Sequence, residues 1–461
     1  MQINDQYIRS DLQSGNRPRV ASRNLGSPYV LMGGFALLIA IGTILLLLPQ
    51  SNQQGNLTPF LDALFTATSA VTVTGLVVVD TATYWTKFGH VIIMLLIFLG
   101  GIGIMTSATF LMIIIGQRIT LANRLLLREN LGVNQLGGLV ALTFRIVIAM
   151  ITIQLIGFFM LLFSLKDEFP IGVAIWQSAF HAVSGFNNAG FVILPNSESI
   201  STFNNNIAII FPMTLLIIFG ALSYSIWIDL FRYRKFSKFT LDSKLVLIFT
   251  GVLIILGSIV LFISEYNNPL TFGEMSFSDK LINSIFHSIS GRTAGFTTVD
   301  FGDMEQQSKF FLTGLMFIGG ASASTAGGIK INTLAVLLVA TFASIRGNTH
   351  VNVFGREIPQ TQIFRALTIL LLGVFMVFLV SFLLTITEGF PFIDILFEAV
   401  SAFGTVGLST GITGDLSDIG RSIIIATMFI GRVGPITLGL VLARREQTPP
   451  YRFAEERVKI G

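Results

Sequence analysis

Four short stretches of the sequence share one plan: SAVTVTGL (Ser69–Leu76), SGFNNAGF (Ser184–Phe191), SGRTAGF (Ser290–Phe296) and SAFGTVGL (Ser401–Leu408). In each, a serine stands five or six residues before a glycine, and Phe or Leu follows the glycine. The glycines Gly75, Gly190, Gly295 and Gly407 are 115, 105 and 112 residues apart, a period regular enough to mark a repeat. Such stretches do chemistry with the main chain. Glycine permits the backbone angles that turn a carbonyl inward, and a ring of carbonyl oxygens replaces the hydration shell of a dehydrated cation, K⁺ being the best-matched ion in known cases. The competing reading is that these glycines only let helices approach closely. Their period favours a pore for a monovalent cation, whereas Gly100, Gly101 and Gly103 fit the packing reading.

The elements that must hold these stretches are membrane helices. Of 461 residues, 52% are hydrophobic and only 12% charged, with a mean hydropathy of +0.76. Runs such as Pro28–Pro49, Leu245–Ile263 and Ala366–Ile386 are long enough to cross a hydrocarbon layer about 30 Å thick. Between long runs lie four that are too short to cross: Pro59–Ala70, Ile171–Ser184, Asp279–Ser290 and Phe392–Ala402, each ending in a glycine motif. Each unit therefore reads as span, half-helix, extended segment, span. The predicted fold is an all-α integral membrane protein with four parallel span–pore helix–span (M1-P-M2) repeats around a pseudo-fourfold central pore, eight full spans in total. Non-helical backbone at membrane depth is tolerated only where protein buries it or water reaches it. The half-helices would turn the partial negative charge of their C-terminal ends toward that pore.

Charge gives the sidedness. Most of the 29 Lys and Arg residues fall in the N-terminal tail, 117–145, 232–244, 346–365 and the tail after Ala443. The opposite face carries Asp80, Glu168, Glu198, Glu265, Glu274, Asp300, Asp303, Asp415 and Asp418. The basic face is predicted to be cytoplasmic, with both termini there and the glycine motifs toward the outside. The organisation that follows is a cytoplasmic tail 1–27, pore repeat 1 over 28–116, a cytoplasmic linker 117–138, repeat 2 over 139–231, and a loop 232–243. Repeat 3 spans 244–345, then come a loop 346–362, repeat 4 over 363–443 and a tail 444–461. No cleavable signal precedes the first span, which would itself direct insertion.

The stretch Phe310–Ile345 is apolar over 36 residues, and one straight helix of that length would measure about 54 Å. GGASASTAGGIK (Gly319–Lys330) interrupts it with four glycines, each costing about 1 kcal/mol in a helix. Two half-helices joined by a loop at membrane depth are predicted, and that loop, 319–330, could obstruct the pore. The competing reading is a small-residue packing face with a cytoplasmic extension. Arg432, midway along the last span, costs about 2.5–3.5 kcal/mol at the membrane centre and so should face protein or water. The competing reading is a structural ion pair or a snorkelling side chain. Arg292, beside the third glycine motif, is expected to point away from a cation path and brace its loop. His181 and His287 lie one turn before the motif serines and suit core hydrogen bonding.

The chain has no cysteine, which excludes thiol chemistry and disulfides. No nucleophile elbow, metalloprotease motif or phosphate loop is present. The chain is expected to be no enzyme, to bind no nucleotide itself and to have no nucleic-acid partner. FRYRKFSKF (Phe231–Phe239) mixes bases with aromatics and suits anionic lipid headgroups or a partner protein.

The four motifs, their spacing and the span pattern resemble the membrane subunits of the Trk/Ktr/HKT potassium uptake superfamily over nearly the whole chain. TVTGL, NNAGF, RTAGF and TVGL look like that family's filter segments. The polar N-terminal 27 residues, in place of two further spans, are similar to the KtrB-like type. The resemblance implies K⁺ uptake in a bacterial inner membrane, a homodimer, possible Na⁺ activation, and regulation by a KtrA-like cytoplasmic nucleotide-binding ring responding to ATP and ADP. It implies that K⁺ meets main-chain oxygens of Val73, Thr74 and Gly75, of Asn188, Ala189 and Gly190, of Thr293, Ala294 and Gly295, and of Thr405, Val406 and Gly407. It implies too that Gly319, Gly320, Ala321, Ser322, Ala323, Ser324, Thr325, Ala326, Gly327 and Gly328 form an intramembrane gating loop, with Arg432 bonded to it beneath the filter and Lys330 near the gate. The rival expectation is a cation symporter coupling K⁺ to Na⁺ or H⁺. Two related halves would suit rocking better than a parallel fourfold repeat does.

Overall fold

The computed structural model describes residues 28–103, 106, 109, 138–194, 199–233 and 235–434. The tails 1–27 and 444–461 and nearly all of the linker 117–138 lie outside the described residues.

Helices dominate because apolar residues run on without a polar partner for the backbone, and a helix satisfies its amides internally. The first group is α1 (Pro28–Leu47), α2 (Phe60–Thr72) and α3 (Lys87–Ile102). The second is α4 (Leu139–Leu165), α5 (Ile171–Asn187), α6 (Ile207–Ala221) and α7 (Tyr224–Tyr233). Then come α8 (Leu241–Glu265), α9 (Phe277–Ser290), α10 (Gln306–Phe317) and α11 (Ile331–Ile345). The last are α12 (Gln360–Thr387), α13 (Phe392–Gly404) and α14 (Asp418–Val433). The strands β1 (Asn352–Val353) and β2 (Arg356–Glu357) form a small antiparallel hairpin between α11 and α12.

The short helices α2, α5, α9 and α13 begin at strong start signals. Pro59, Pro170 and Pro391 precede three of them, and the Ser276 hydroxyl accepts the Asp279 amide at 3.2 Å before the fourth. They end just as distinctly. Val73, Asn188 and Thr405 cap α2, α5 and α13 in the left-handed conformation, with φ of 57°, 58° and 49°. Each short helix also buries a phenylalanine four residues before its motif serine: Phe65, Phe180, Phe286 and Phe397, all 0% exposed.

By length and composition, α4, α8 and α12 are each able to cross a membrane, and α6 with α7 passes as a bent pair. Several of the other helices end at identifiable points. Gly103 (φ 85°) stops α3, Gly434 (φ 93°) stops α14, and Ile318 ends α10. Leu222 ends α6, and α7 leaves it at 101°. Gly103, expected to be a packing glycine, is thus a helix terminus. The packing order is cyclic. Helices α1, α4, α8 and α12 each lie against the short helix that follows them. Helices α3, α6, α10 and α14 lie against α5, α9, α13 and α2 in turn, so the last helix closes on the first short one.

Candidate functional site

The left-handed caps continue into extended segments that meet at the centre of this cycle. Two residues before each motif glycine the backbone has positive φ, at Val73, Asn188, Thr293 (80°) and Thr405, and the glycines do so again at 95°, 71°, 77° and 91°. Thr74, Ala189, Ala294 and Val406, between them, do not. Alternating the sign of φ keeps successive carbonyls on one side, where a strand would alternate them. Left-handed β-branched residues are costly, about 1–3 kcal/mol each, and Val73, Thr293 and Thr405 are all of this kind. The surrounding burial holds them: these three and Asn188 are at most 1% exposed.

The glycines face one another in order. A Cβ on Gly75 would lie 3.0 Å from Gly190 Cα, and one on Gly190 would lie 3.1 Å from both Gly295 Cα and the Ala294 carbonyl oxygen. One on Gly295 would lie 2.5 Å from the Val406 oxygen and 3.2 Å from Gly407 Cα, and one on Gly407 would lie 3.0 Å from Gly75 Cα. Only a residue without a side chain fits at each point. On one side the ring opens into a cavity of about 370 Å³ lined by the four glycines, Asp80 and Asp300.

On the other side lies the loop of residues 318–330. Ile318 and Ile329 pair as a parallel bridge, the Gly319 amide donates to the Ile329 oxygen (2.8 Å) and the Ile331 amide to the Gly320 oxygen (3.1 Å). The Ala321 amide donates to the Ala221 oxygen (3.0 Å), and the Thr325 hydroxyl to the Gly220 oxygen (2.9 Å). The loop sits directly under the ring. A Cβ on Gly319 would touch Thr293 Cγ2 at 3.2 Å, and one on Gly328 would touch Gly404 Cα at 3.1 Å. The Thr325 and Gly100 carbonyls both accept from the Arg432 guanidinium, the second at 2.6 Å. Lys330 Nζ donates to the Ala326 and Gly327 carbonyls. The twelve residues singled out around the four glycines and those singled out in the loop are thus brought together, with Arg432 and Lys330 among them.

Some participants were not visible in the sequence. Gly100 supplies a carbonyl to Arg432 besides packing so tightly on Val71 that a Cβ could not fit. Arg292 is buried, and its Nε has no hydrogen-bond partner among the described residues. His181 and His287 are buried and hydrogen-bonded, and both reach the chain just beyond the ring. Glu398, at 0% exposure, does the same in α13 and was not singled out. Its only sequence signal is its register, three residues before Ser401. No group of three or more His, Cys, Asp or Glu side chains able to hold a metal lies among the described residues.

Residues 29–450 match the TrkH family, described as cation transport protein. The chain belongs to that family. It is similar to the Ktr system potassium uptake protein B of Bacillus subtilis, 42% identical and covering 94% of this chain and 96% of that one. It is also similar to the potassium/sodium uptake protein NtpJ of Enterococcus hirae, 38% identical over 96% and 99% of the two chains. The Ktr system potassium uptake protein B of Vibrio alginolyticus is 36% identical over 95% of each chain. The crystal structure of the potassium transporter TrkH from Vibrio parahaemolyticus shares the fold, with a TM-score of 0.72 over 93% of this chain and 86% of that one, at 18% identity. The chain thus has the helical fold of that structure and, as a TrkH-family member, is a membrane transport protein.

Proposed function

We propose that this chain is the membrane subunit of a Ktr-type potassium uptake system, in which four M1-P-M2 units with eight spans surround one pore. Val73–Gly75, Asn188–Gly190, Thr293–Gly295 and Thr405–Gly407 line its filter with carbonyl oxygens. The observation that carries this reading is the closed order of the four glycines, each against the next strand's backbone. The strands come from one polypeptide, so one chain suffices for one pore. Entry is downhill in the membrane potential, at about 2.3 kcal/mol per charge per 100 mV. The loop 319–330, latched by Arg432 and Lys330, is the gate: it lies across the path on the side of the ring opposite the 370 Å³ cavity.

In this reading the protein sits in a bacterial inner membrane with both termini cytoplasmic, works as a homodimer with lipid contacts, and opens when a KtrA-like nucleotide-binding ring moves the loop. Relatives named as Ktr system proteins support a multi-component system, and the name of the Enterococcus protein supports a role for Na⁺. That name also favours the second reading, a symporter coupling K⁺ to Na⁺. A fixed Na⁺:K⁺ flux ratio in proteoliposomes would select it. The pore reading is tested by Rb⁺ uptake into K⁺-starved cells lacking their own systems, with Gly75, Gly190, Gly295 and Gly407 each replaced by Ser. Every substitution should lower affinity or K⁺/Na⁺ discrimination. Wild-type uptake in any properly inserted variant would refute the ring as filter.

A further inference from the structure

Three residues before the motif serine, the four short helices carry different side chains: Thr66, His181, His287 and Glu398. In three of them that side chain holds the third residue beyond the ring glycine. His181 Nε2 accepts the Ile193 amide (3.4 Å), while its Nδ1 contacts the Gln177 carbonyl (2.7 Å) and Gln177 Nε2 donates to the Ile193 oxygen (2.7 Å). His287 Nε2 accepts the Thr298 amide at 3.1 Å and lies 3.0 Å from the Thr298 hydroxyl, which also donates to Asn283. Glu398 accepts from the hydroxyls of Ser409 and Thr413, the latter at 2.9 Å, and from the Thr410 backbone. Ile193, Thr298 and Thr410 are each three residues past their glycine. In the first helix the side chain is too short to reach. Thr66 Oγ1 is buried without a partner among the described residues.

The motif serines fasten the middle of the same strands. Ser69 and Ser401 accept the amides of Gly75 and Gly407 (3.0 and 3.2 Å), and Ser184 and Ser290 donate to the carbonyls of Phe191 and Phe296 (2.8 and 2.6 Å). Three strands are therefore fixed at the glycine or the residue after it and again two residues or more further on. Among the described residues the first is fixed at the cap and the glycine and next only at Thr81, six residues past Gly75, whose carbonyl lies 2.8 Å from His90 Nε2.

We propose that His181, His287 and Glu398 are positioning residues of the ring: they clamp strands two, three and four at the third residue past the glycine, a point at which strand one has no such clamp, and thereby set K⁺ affinity and the rejection of Na⁺ from behind the ring. This rests on the filter reading above. The physical cause is that carbonyls selective for a larger cation must resist closing on a smaller one, and an unfastened strand yields more easily.

The test is the concentration dependence of Rb⁺ uptake, with and without competing Na⁺, for H287A, E398A, T66A, H287Q and E398Q, with G295S alongside and each normalised to protein in the membrane. Loss of the hydrogen bonds in H287A or E398A should raise KM about tenfold, with Na⁺ competing more strongly and maximal uptake largely retained. H287Q, which can return an acceptor to the Nε2 position, should restore most of the affinity. E398Q should fall between, since one amide oxygen cannot serve all the donors that a carboxylate serves. T66A should match the wild type. If H287A and E398A keep the wild-type KM while G295S does not, the clamp is overturned and the filter reading survives. If G295S also behaves as wild type, the filter reading falls and the clamp with it. A KM raised equally by T66A would overturn the clamp, because burial rather than bonding would then be the cause. Should the alanine forms fail to accumulate, E398Q decides alone: a raised KM supports the clamp and a wild-type KM overturns it.

Discussion

Replacing Arg432 by alanine should open the pore. The guanidinium donates to the Thr325 carbonyl of the loop and to the Gly100 carbonyl at the end of α3, so it ties the last helix, the loop and the first unit together. Hydrogen bonds from a charged donor contribute about 1.5–3 kcal/mol each. The freed carbonyls regain water once the side chain is gone, so the lower end applies, and because only the Thr325 bond belongs to the loop the closed loop loses about 1.5 kcal/mol. At about 1.4 kcal/mol per factor of ten, the open-to-closed ratio rises on the order of tenfold. Removing a positive charge from the cation path acts in the same direction. The two causes separate in Arg432→Gln, which is neutral yet keeps an N–H donor. Its flux should lie below that of the alanine form if the latch dominates, and equal it if charge dominates. The assay is K⁺ flux through proteoliposomes containing the membrane subunit alone, normalised to reconstituted protein. Flux no higher than wild type in a well-folded Arg432→Ala protein would refute the latch.

Deleting Ala321–Gly328 should likewise raise K⁺ uptake in cells lacking any regulatory partner, and uptake as low as that of the intact chain would remove the loop as gate. Gly295→Ala forces a Cβ to 2.5 Å from the Val406 oxygen at a φ of 77°, a conformation costing about 1–2 kcal/mol for any L side chain. It should reduce K⁺/Na⁺ discrimination in competition uptake, whereas Gly33→Ala, with nothing within 4 Å, should leave it unchanged. Gly100→Ala would drive a Cβ into the Val71 carbonyl and should lower the melting temperature in detergent, since overpacking costs about 1–3 kcal/mol. Gly314→Ala, also with open space around it, is the control for that measurement.

Much of the architecture was legible in the sequence because the relevant signals are local. The short helices α2, α5, α9 and α13 fall where four apolar runs are too short to cross, each extending a few residues beyond or before its predicted bounds. The break over 319–330 was announced by its glycines. The 101° turn between α6 and α7 was not, since it falls at Leu222–Ser223 with no proline and no glycine at the corner. Gly103 and Gly434 stand at corresponding helix ends, yet a glycine inside an apolar run has the same sequence signature whether it packs or terminates. The clamp was hidden for a different reason. Histidine and glutamate share no pattern, and only their common distance from the motif serine and their common target reveal a single task.

The amino-acid order alone determined that this is an apolar, helical membrane protein in which a serine–glycine motif recurs four times, with a glycine-rich interruption after the third. Those properties reside in hydrophobicity and period, which one dimension is enough to express. Which strand lies beside which, what Arg432 grips and which side chains brace the ring were decided only by the closed packing of α14 against α2. Gly75 meets Gly407 across more than three hundred residues of chain. A contact of that range carries no local signature, because its free energy exists only once every intervening helix has docked.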